Sequence, residues 1–282
     1  ARFTGMVPPS APPPSPPPAP PPDFLRNPLA VGSATDGANG FAELDGAHYV
    51  ATFVIGTSTY AIVASVHDDG VQLIDVSNPG SPVAVGSATD GVNGFTELDG
   101  PRGVATFVIG TSTYAIVASY DVDGVQIIDV SDPGSPVAMG SATDGVNGFD
   151  ELDGAYNVAT FVIGSSTYAI VASTLDDGVQ LIDVSDPGSP VAMGSATDGV
   201  NGFTELDGAL GVATFIIDSS TYAIIASYDD DGVQIVDVSN PSSPLAMGSA
   251  TDGVNGFTEL DGPDGVATFV IGASTYAIVA SY

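Results

Sequence analysis

The tract GSATDG begins at Gly32, Gly86, Gly140, Gly194 and Gly248, so the chain repeats itself every 54 residues over most of its length. Self-similarity at that period means that one supersecondary unit is stacked several times, as in propellers, solenoids and arrays. This constrains the fold more than any other feature, because each copy must bury its apolar surface against its neighbours. Four strand-like runs recur in every unit. One set reads SPVAVGSAT, RGVATFVIG, TYAIVASY and GVQIIDVS, rich in Val, Ile, Thr, Tyr and Phe and separated by Gly, Pro and Asp clusters. Helix is expected to be nearly absent.

The runs are apolar on both faces. In TYAIVASY, Tyr114, Ile116 and Ala118 alternate with Ala115, Val117 and Ser119, and neither set carries a charge. A strand of that kind belongs in a sheet sandwiched between two others, which is how the blades of a propeller pack. The run DDGVQLIDVSNPGSPVAV, from Asp68 to Val85, returns at Asp123, Asp177 and Asp231 and resembles the LVIVD-type β-propeller repeat of surface and secreted proteins. The resemblance implies a fold and hardly a function. These units depart from the family in being longer than its usual repeat, with extended acidic loops.

By analogy with such propellers, GVATFVIG is the inner strand A, TYAIVASY strand B, GVQIIDVS strand C and PVAVGSAT the outer strand D. The expected fold is all-β: a five-bladed β-propeller of 54-residue, four-stranded units with its last blade incomplete, preceded by a polyproline II segment. The chain starts on a D strand (Pro28 to Thr35), runs through four whole blades, and reaches A and B of a fifth between Gly265 and Tyr282. Pairing of the terminal segments would close the ring. A linear β-solenoid of the same units is the alternative.

The fifth strand C is missing, which leaves a slot one strand wide between Tyr276, Ile278, Ala280 and Tyr282 on one side and Leu29 and Val31 on the other. Unpartnered buried peptide groups cost about 1–3 kcal/mol each, so the slot calls for an occupant. The strand-like heptapeptide ARFTGMV (Arg2, Phe3, Thr4, Gly5, Met6 and Val7 after Ala1) is the candidate. It is followed by a proline-rich linker over residues 8–27, and the propeller occupies 28–282. The tract Pro8 to Pro22 favours polyproline II, which at about 3.1 Å per residue reaches about 45 Å. A rod of that length suits delivery of the heptapeptide to a neighbouring copy as a donor strand, and a head-to-tail contact of this kind builds an open filament. Two other readings stand beside it: a plain linker on a fragment whose missing strand lies beyond Tyr282, and self-complementation.

Composition bounds the partners. The net charge is −31, with 34 acidic residues against Arg2, Arg26 and Arg102, and there is neither lysine nor cysteine. That balance disfavours nucleic acid and anionic membranes, and no stretch approaches the roughly 20 apolar residues of a membrane-inserted helix. Numbering from Ala1 suggests a removed secretion signal, hence an extracellular or cell-surface location. PPSAPPPSPPPAPPP resembles the spacers of hydroxyproline-rich extracellular matrix glycoproteins, which implies hydroxylation or O-linked glycans at Pro12, Pro13, Pro14, Ser15, Pro16, Pro17 and Pro18. A bare rigid spacer is the plainer alternative.

No enzyme is expected: G-x-S-x-G, a phosphate loop followed by lysine, and a Cys/His metal constellation are all missing from the sequence. His48 and His67 occur in the first unit alone, with Arg102, Tyr156, Leu210 and Asp264 replacing the former, as drifting surface positions would. No cofactor is required. Calcium is the one candidate ion, because Asp90, Asn93, Glu97 and Asp99 in one loop and Asp229, Asp230 and Asp231 in another are hard oxygen donors in Gly-rich segments, although Asp and Gly serve ordinary turns equally well. The functional expectation is a structural subunit of an extracellular filament or matrix, assembled from copies of itself. A secreted, lectin-like or adhesive binding module supported by calcium is the alternative.

Overall fold

The computed structural model describes residues 29–282. Its first blade is β1 (Ala47–Ile55), β2 (Ser58–Ser65), β3 (Gly70–Asp75) and β4 (Val83–Thr89). The second is β5 (Pro101–Ile109), β6 (Ser112–Ser119), β7 (Gly124–Asp129) and β8 (Val137–Thr143). The third is β9 (Ala155–Ile163), β10 (Ser166–Ser173), β11 (Gly178–Asp183) and β12 (Val191–Thr197), and the fourth is β13 (Ala209–Ile217), β14 (Ser220–Ser227), β15 (Gly232–Asp237) and β16 (Leu245–Thr251). The fifth has two strands, β17 (Pro263–Ile271) and β18 (Ser274–Ser281). Every sheet is an antiparallel meander in chain order, and no helix occurs among the described residues. The molecule is a five-bladed β-propeller whose last blade is incomplete.

Local chemistry sets each hairpin. β1 and β2 are joined by two residues, of which Gly56 has φ +61°, a left-handed conformation that matches the twist of a two-residue hairpin. The fourth blade places Asp218 there at φ 57°, a conformation that aspartate tolerates better than most residues. After strand C, the Asp of IDVS closes the turn: Asp75 Oδ1 accepts from Ser77 N–H at 2.8 Å, and Asp129, Asp183 and Asp237 accept from Ser131, Ser185 and Ser239 in the same way.

Packing follows the alternation. On β6, Ala115 and Val117 enter the core shared with the first blade, whereas Ile116 and Ala118 enter the core shared with the third. The three cores between complete blades are capped by the Phe and Leu of the loop that leads to the next blade, as Phe149 and Leu152 do between blades two and three. A ladder of hydroxyls links the inner strands, with Thr160 Oγ1 donating to Thr106 O at 3.2 Å and Thr268 Oγ1 to Thr214 O at 3.2 Å. Near the axis the backbones close in, and a Cβ on Gly103 would stand 2.6 Å from the Cα of Asn157.

The expected closure by terminal pairing is not what forms. Leu29–Thr35 is not a strand, and the described residues give β18 no partner besides β17. Among the described residues no strand C stands between them, so neither segment has an edge to pair with there. Residues 29–35 nonetheless stand where an outer strand stands: Gly32 lies against Pro79 and Pro82 as Gly86 lies against Pro133 and Pro136. A seam separates the first blade from the fifth, so Val50 is 59% exposed whereas its equivalent Val104 is 5% exposed. The heptapeptide 1–7 and the proline segment, including Pro12 to Pro18, lie outside the described residues.

The repeat supplies its own stability control. Phe149→Ala, at a buried cap, should cost about 3–5 kcal/mol in chemical denaturation. Phe257→Ala, at the equivalent but open position, should cost less than about 1 kcal/mol.

Candidate functional site: the open fifth blade and the axial mouth

In the complete blades, strand C locks the loop that enters the blade. Gln72, 1% exposed, accepts the N–H groups of Ala42 at 2.9 Å and Glu43 at 3.3 Å, and donates from Nε2 to Leu73 O and Gly86 O. Gln126, Gln180 and Gln234 take the same role towards Thr96, Asp150 and Thr204. Strand D adds a threonine: Thr89 Oγ1 donates to Glu43 Oε1 at 2.5 Å. Strand B adds a serine, and Ser65 Oγ donates to Glu43 O at 2.8 Å. Glu43 also lies over Gly70, where any Cβ would meet its carboxylate.

The fifth blade keeps the loop and lacks the lock. Leu260 N–H still donates to Asp252 Oδ1 and Gly262 N–H to Asp231 Oδ1, so the loop is fixed from the fourth blade. Its Glu259 is exposed, Ser281 Oγ has no partner among the described residues, and Phe257 is 46% exposed where the four equivalent phenylalanines are buried. The residues expected to line the slot are open as well. Tyr276, Ile278 and Ala280 on β18 and Tyr282 just after it are exposed, as are Leu29 and Val31. Ile278 is 63% exposed, against 0% for Ile116 at the same position of the second blade. On the facing side of the seam lies a groove of about 550 Å³, walled by Thr35, Asp36, Tyr49, Val50, Val63 and Ile74.

A second place was missed by the sequence reading. The residues that replace His48 from unit to unit gather at one mouth of the central axis. Tyr156 Oη lies 3.3 Å from His48 Nε2, and the Arg102 guanidinium lies over the rings of Tyr120 and Tyr156 at 4.4 and 5.1 Å. Burial, with Arg102 adding repulsion, lowers the His48 pKa, and burial holds Tyr49 at about 12. The readable signal was that, in strands whose VATFVI run repeats almost unchanged, this position carries a different residue in each of the five units.

The acidic loops are spent largely on the backbone. Asp90 Oδ1 accepts from Leu98 N–H, Asp230 Oδ2 from Asp207 N–H, and Asp231 Oδ1 from Gly262 N–H. Glu97 bonds Thr143 inside its own blade, Asn93 takes a left-handed turn conformation, and Asp229 is exposed beside Gly208. Asp99 faces Asp69, and burial followed by that repulsion raises its pKa. Among the described residues no three His, Cys, Asp or Glu side chains gather as a metal cage.

The locking glutamates carry a pH signature. Burial pushes Glu151 up to about 7 although Thr197 hydrogen-bonds it, and Glu43, Glu97 and Glu205 shift in the same direction for the same first cause. A carboxyl whose folded pKa exceeds its unfolded value stabilises the fold while protonated, and that contribution is lost as pH rises from about 4.5 to about 7. Glu151→Gln should therefore lose less thermal stability than the parent between about pH 5 and about pH 8. Glu259→Gln, at the open blade, should follow the parent.

No curated protein matches the chain. Among solved structures, a periplasmic gluconolactonase of Pseudomonas aeruginosa superposes with TM-score 0.56 at 13% identity, over 84% of this chain and 57% of its own. A functionally unknown protein from Desulfotomaculum acetoxidans DSM 771 gives 0.53 at 11% identity, over 82% and 63%. A protein from Lactobacillus plantarum gives 0.52 at 16% identity, over 73% and 57%. Identities this low show the fold alone, and the chain spans between 57% and 63% of those chains. The LVIVD repeat matches residues 58–90, 111–144, 162–198 and 212–252, more than half of the sequence. Four of the five units thus carry the signature, and the chain belongs to the LVIVD repeat family.

Proposed function

We propose that this protein is a structural subunit that assembles head to tail outside the cell, the open fifth blade of one copy receiving Arg2–Val7 of the next. The observation that carries the reading is the contrast inside the fifth unit. Phe257, Glu259, Ser281 and Ile278 are left open or unpartnered, while their equivalents in the other four blades are covered, those of Ile278 in the second and third blades by packing against the next blade. An unpaired, apolar, flat edge is a template for a foreign strand, and strand addition draws its affinity from main-chain hydrogen bonds. The proline tract, read as a rod, supplies the reach. Hydroxylation or O-linked glycans on its prolines and Ser15 would keep that rod extended and hydrated.

The register of β3 gives the proposal detail. It pairs Gly70 with Ser65 and Thr89, so a donor set in the same way brings Ala1 opposite Ser281 and Thr35. Arg2 then approaches Asp36, a carboxylate in the wall of the seam groove. Phe3 falls where the other blades have their glutamine, so the donor covers the slot without reproducing the lock. Such a joint is weaker than an intrinsic strand C. Catalysis is no part of this reading, since the gluconolactonase shares the fold alone.

Electron microscopy of the full chain should show fibres, and deleting residues 1–7 should abolish them and leave folded monomers. A peptide GVQIIDVS, copied from the second blade, should cap the edge and stop growth in the intact protein at lower concentration than ARFTGMV. Phe3→Gln should strengthen assembly. Fibres that survive the deletion would refute the donor role of the heptapeptide.

A further inference from the structure

The axial mouth differs from the rest of the molecule in being asymmetric, and Tyr282 is the one residue its cavity shares with the strand-accepting slot. Beside Tyr156 it opens into a cavity of about 280 Å³ walled by Tyr156, Thr174, Leu210, Tyr228, Asp229 and Tyr282. Tyr228 and Tyr282 stand at 78° to one another with centroids 5.9 Å apart, forming a corner, and Tyr156 supplies a third wall. Leu210 is buried beneath, and Asp229 contributes an exposed carboxylate. The equivalent positions in the other blades do not repeat this set: where the fourth and fifth blades have Tyr228 and Tyr282, the first has Val66 and the third Thr174. One such corner is therefore built per ring.

We propose that this corner is a binding site for an organic ammonium ion, of the N-alkylated or quaternary class. Three aromatic faces with one carboxylate attract a cation through their quadrupoles and a full charge. Alkylated nitrogen suits the site because, unlike a primary ammonium, it gives up few hydrogen bonds to water when it enters an apolar corner. The same mouth already holds one cation against tyrosine rings, the guanidinium of Arg102 over Tyr120 and Tyr156. The field of a chain with net charge −31 concentrates cations at its surface and turns anions away. A neutral sugar would use the flat ring faces, yet it would draw nothing from that field.

The test is calorimetric titration of the full chain with choline chloride, with sodium chloride at matched ionic strength as the blank. The uncharged isostere 3,3-dimethylbutan-1-ol and methyl glucoside are the competing probes. Choline should bind at least about 5-fold more tightly than its isostere, the range that a cation–π site supplies. Tyr228→Leu should weaken choline binding by about 5- to 30-fold. Tyr282→Leu, at a side chain 86% exposed and so harmless to folding, and Asp229→Asn should each weaken it too. Choline binding no better than the isostere, binding indifferent to Tyr282→Leu, or capture of methyl glucoside in preference to choline would each overturn the proposal. Fibre formation should be unchanged in Asp229→Asn, which keeps this site separable from the assembly joint.

Discussion

Apolar contact between the faces of neighbouring sheets is the interaction on which the rest of this structure depends. The large cores are each shared between two neighbouring blades. The side chains of β6 point alternately into the first and third blades, so a sheet is stable to the extent that both its neighbours are present. Burial of this kind scales with the area withdrawn from water, and it ends where the copies end. The exposed Val50 on one side of the seam and Ile278 on the other mark where that shared packing stops among the described residues.

Polar chemistry is subordinate to that packing and depends on it. A glutamine in strand C can accept loop N–H groups because the sheet has brought strand and loop together in a dry place, where an unmet donor is costly. The glutamate beside it is shifted upward by the same dryness. In the fifth blade, where the described residues include no strand C, the loop keeps its shape through Asp252 and Asp231 and loses its lock.

Near-perfect repetition has a second consequence at the axis. Equivalent side chains gather there, and the five positions carry five different residues, His48, Arg102, Tyr156, Leu210 and Asp264. A ring of equal blades thereby acquires a single differentiated mouth, with a cation lodged on tyrosine at one side and an open aromatic corner at the other.

The sequence by itself determined the unit, its strands and its deficit. The 54-residue period, the two apolar faces of TYAIVASY and the turn residues between the runs are local, repeated facts that fix the meander, and the count of strands left the fifth blade short. The positions of the slot-lining residues Tyr276, Ile278 and Leu29 were legible for the same reason. Whether the terminal segments pair was not, because pairing needs an edge within reach and the edge that would bridge β18 to Leu29–Thr35 is the missing one. Nor did the acidic loops declare their role, since an aspartate that accepts a backbone N–H and one that awaits a cation read alike in a sequence. Tertiary structure alone gathered the varied residues 48, 102, 156, 210 and 264 into one mouth, because only closure of blades around an axis brings positions 54 residues apart within a few ångströms of each other.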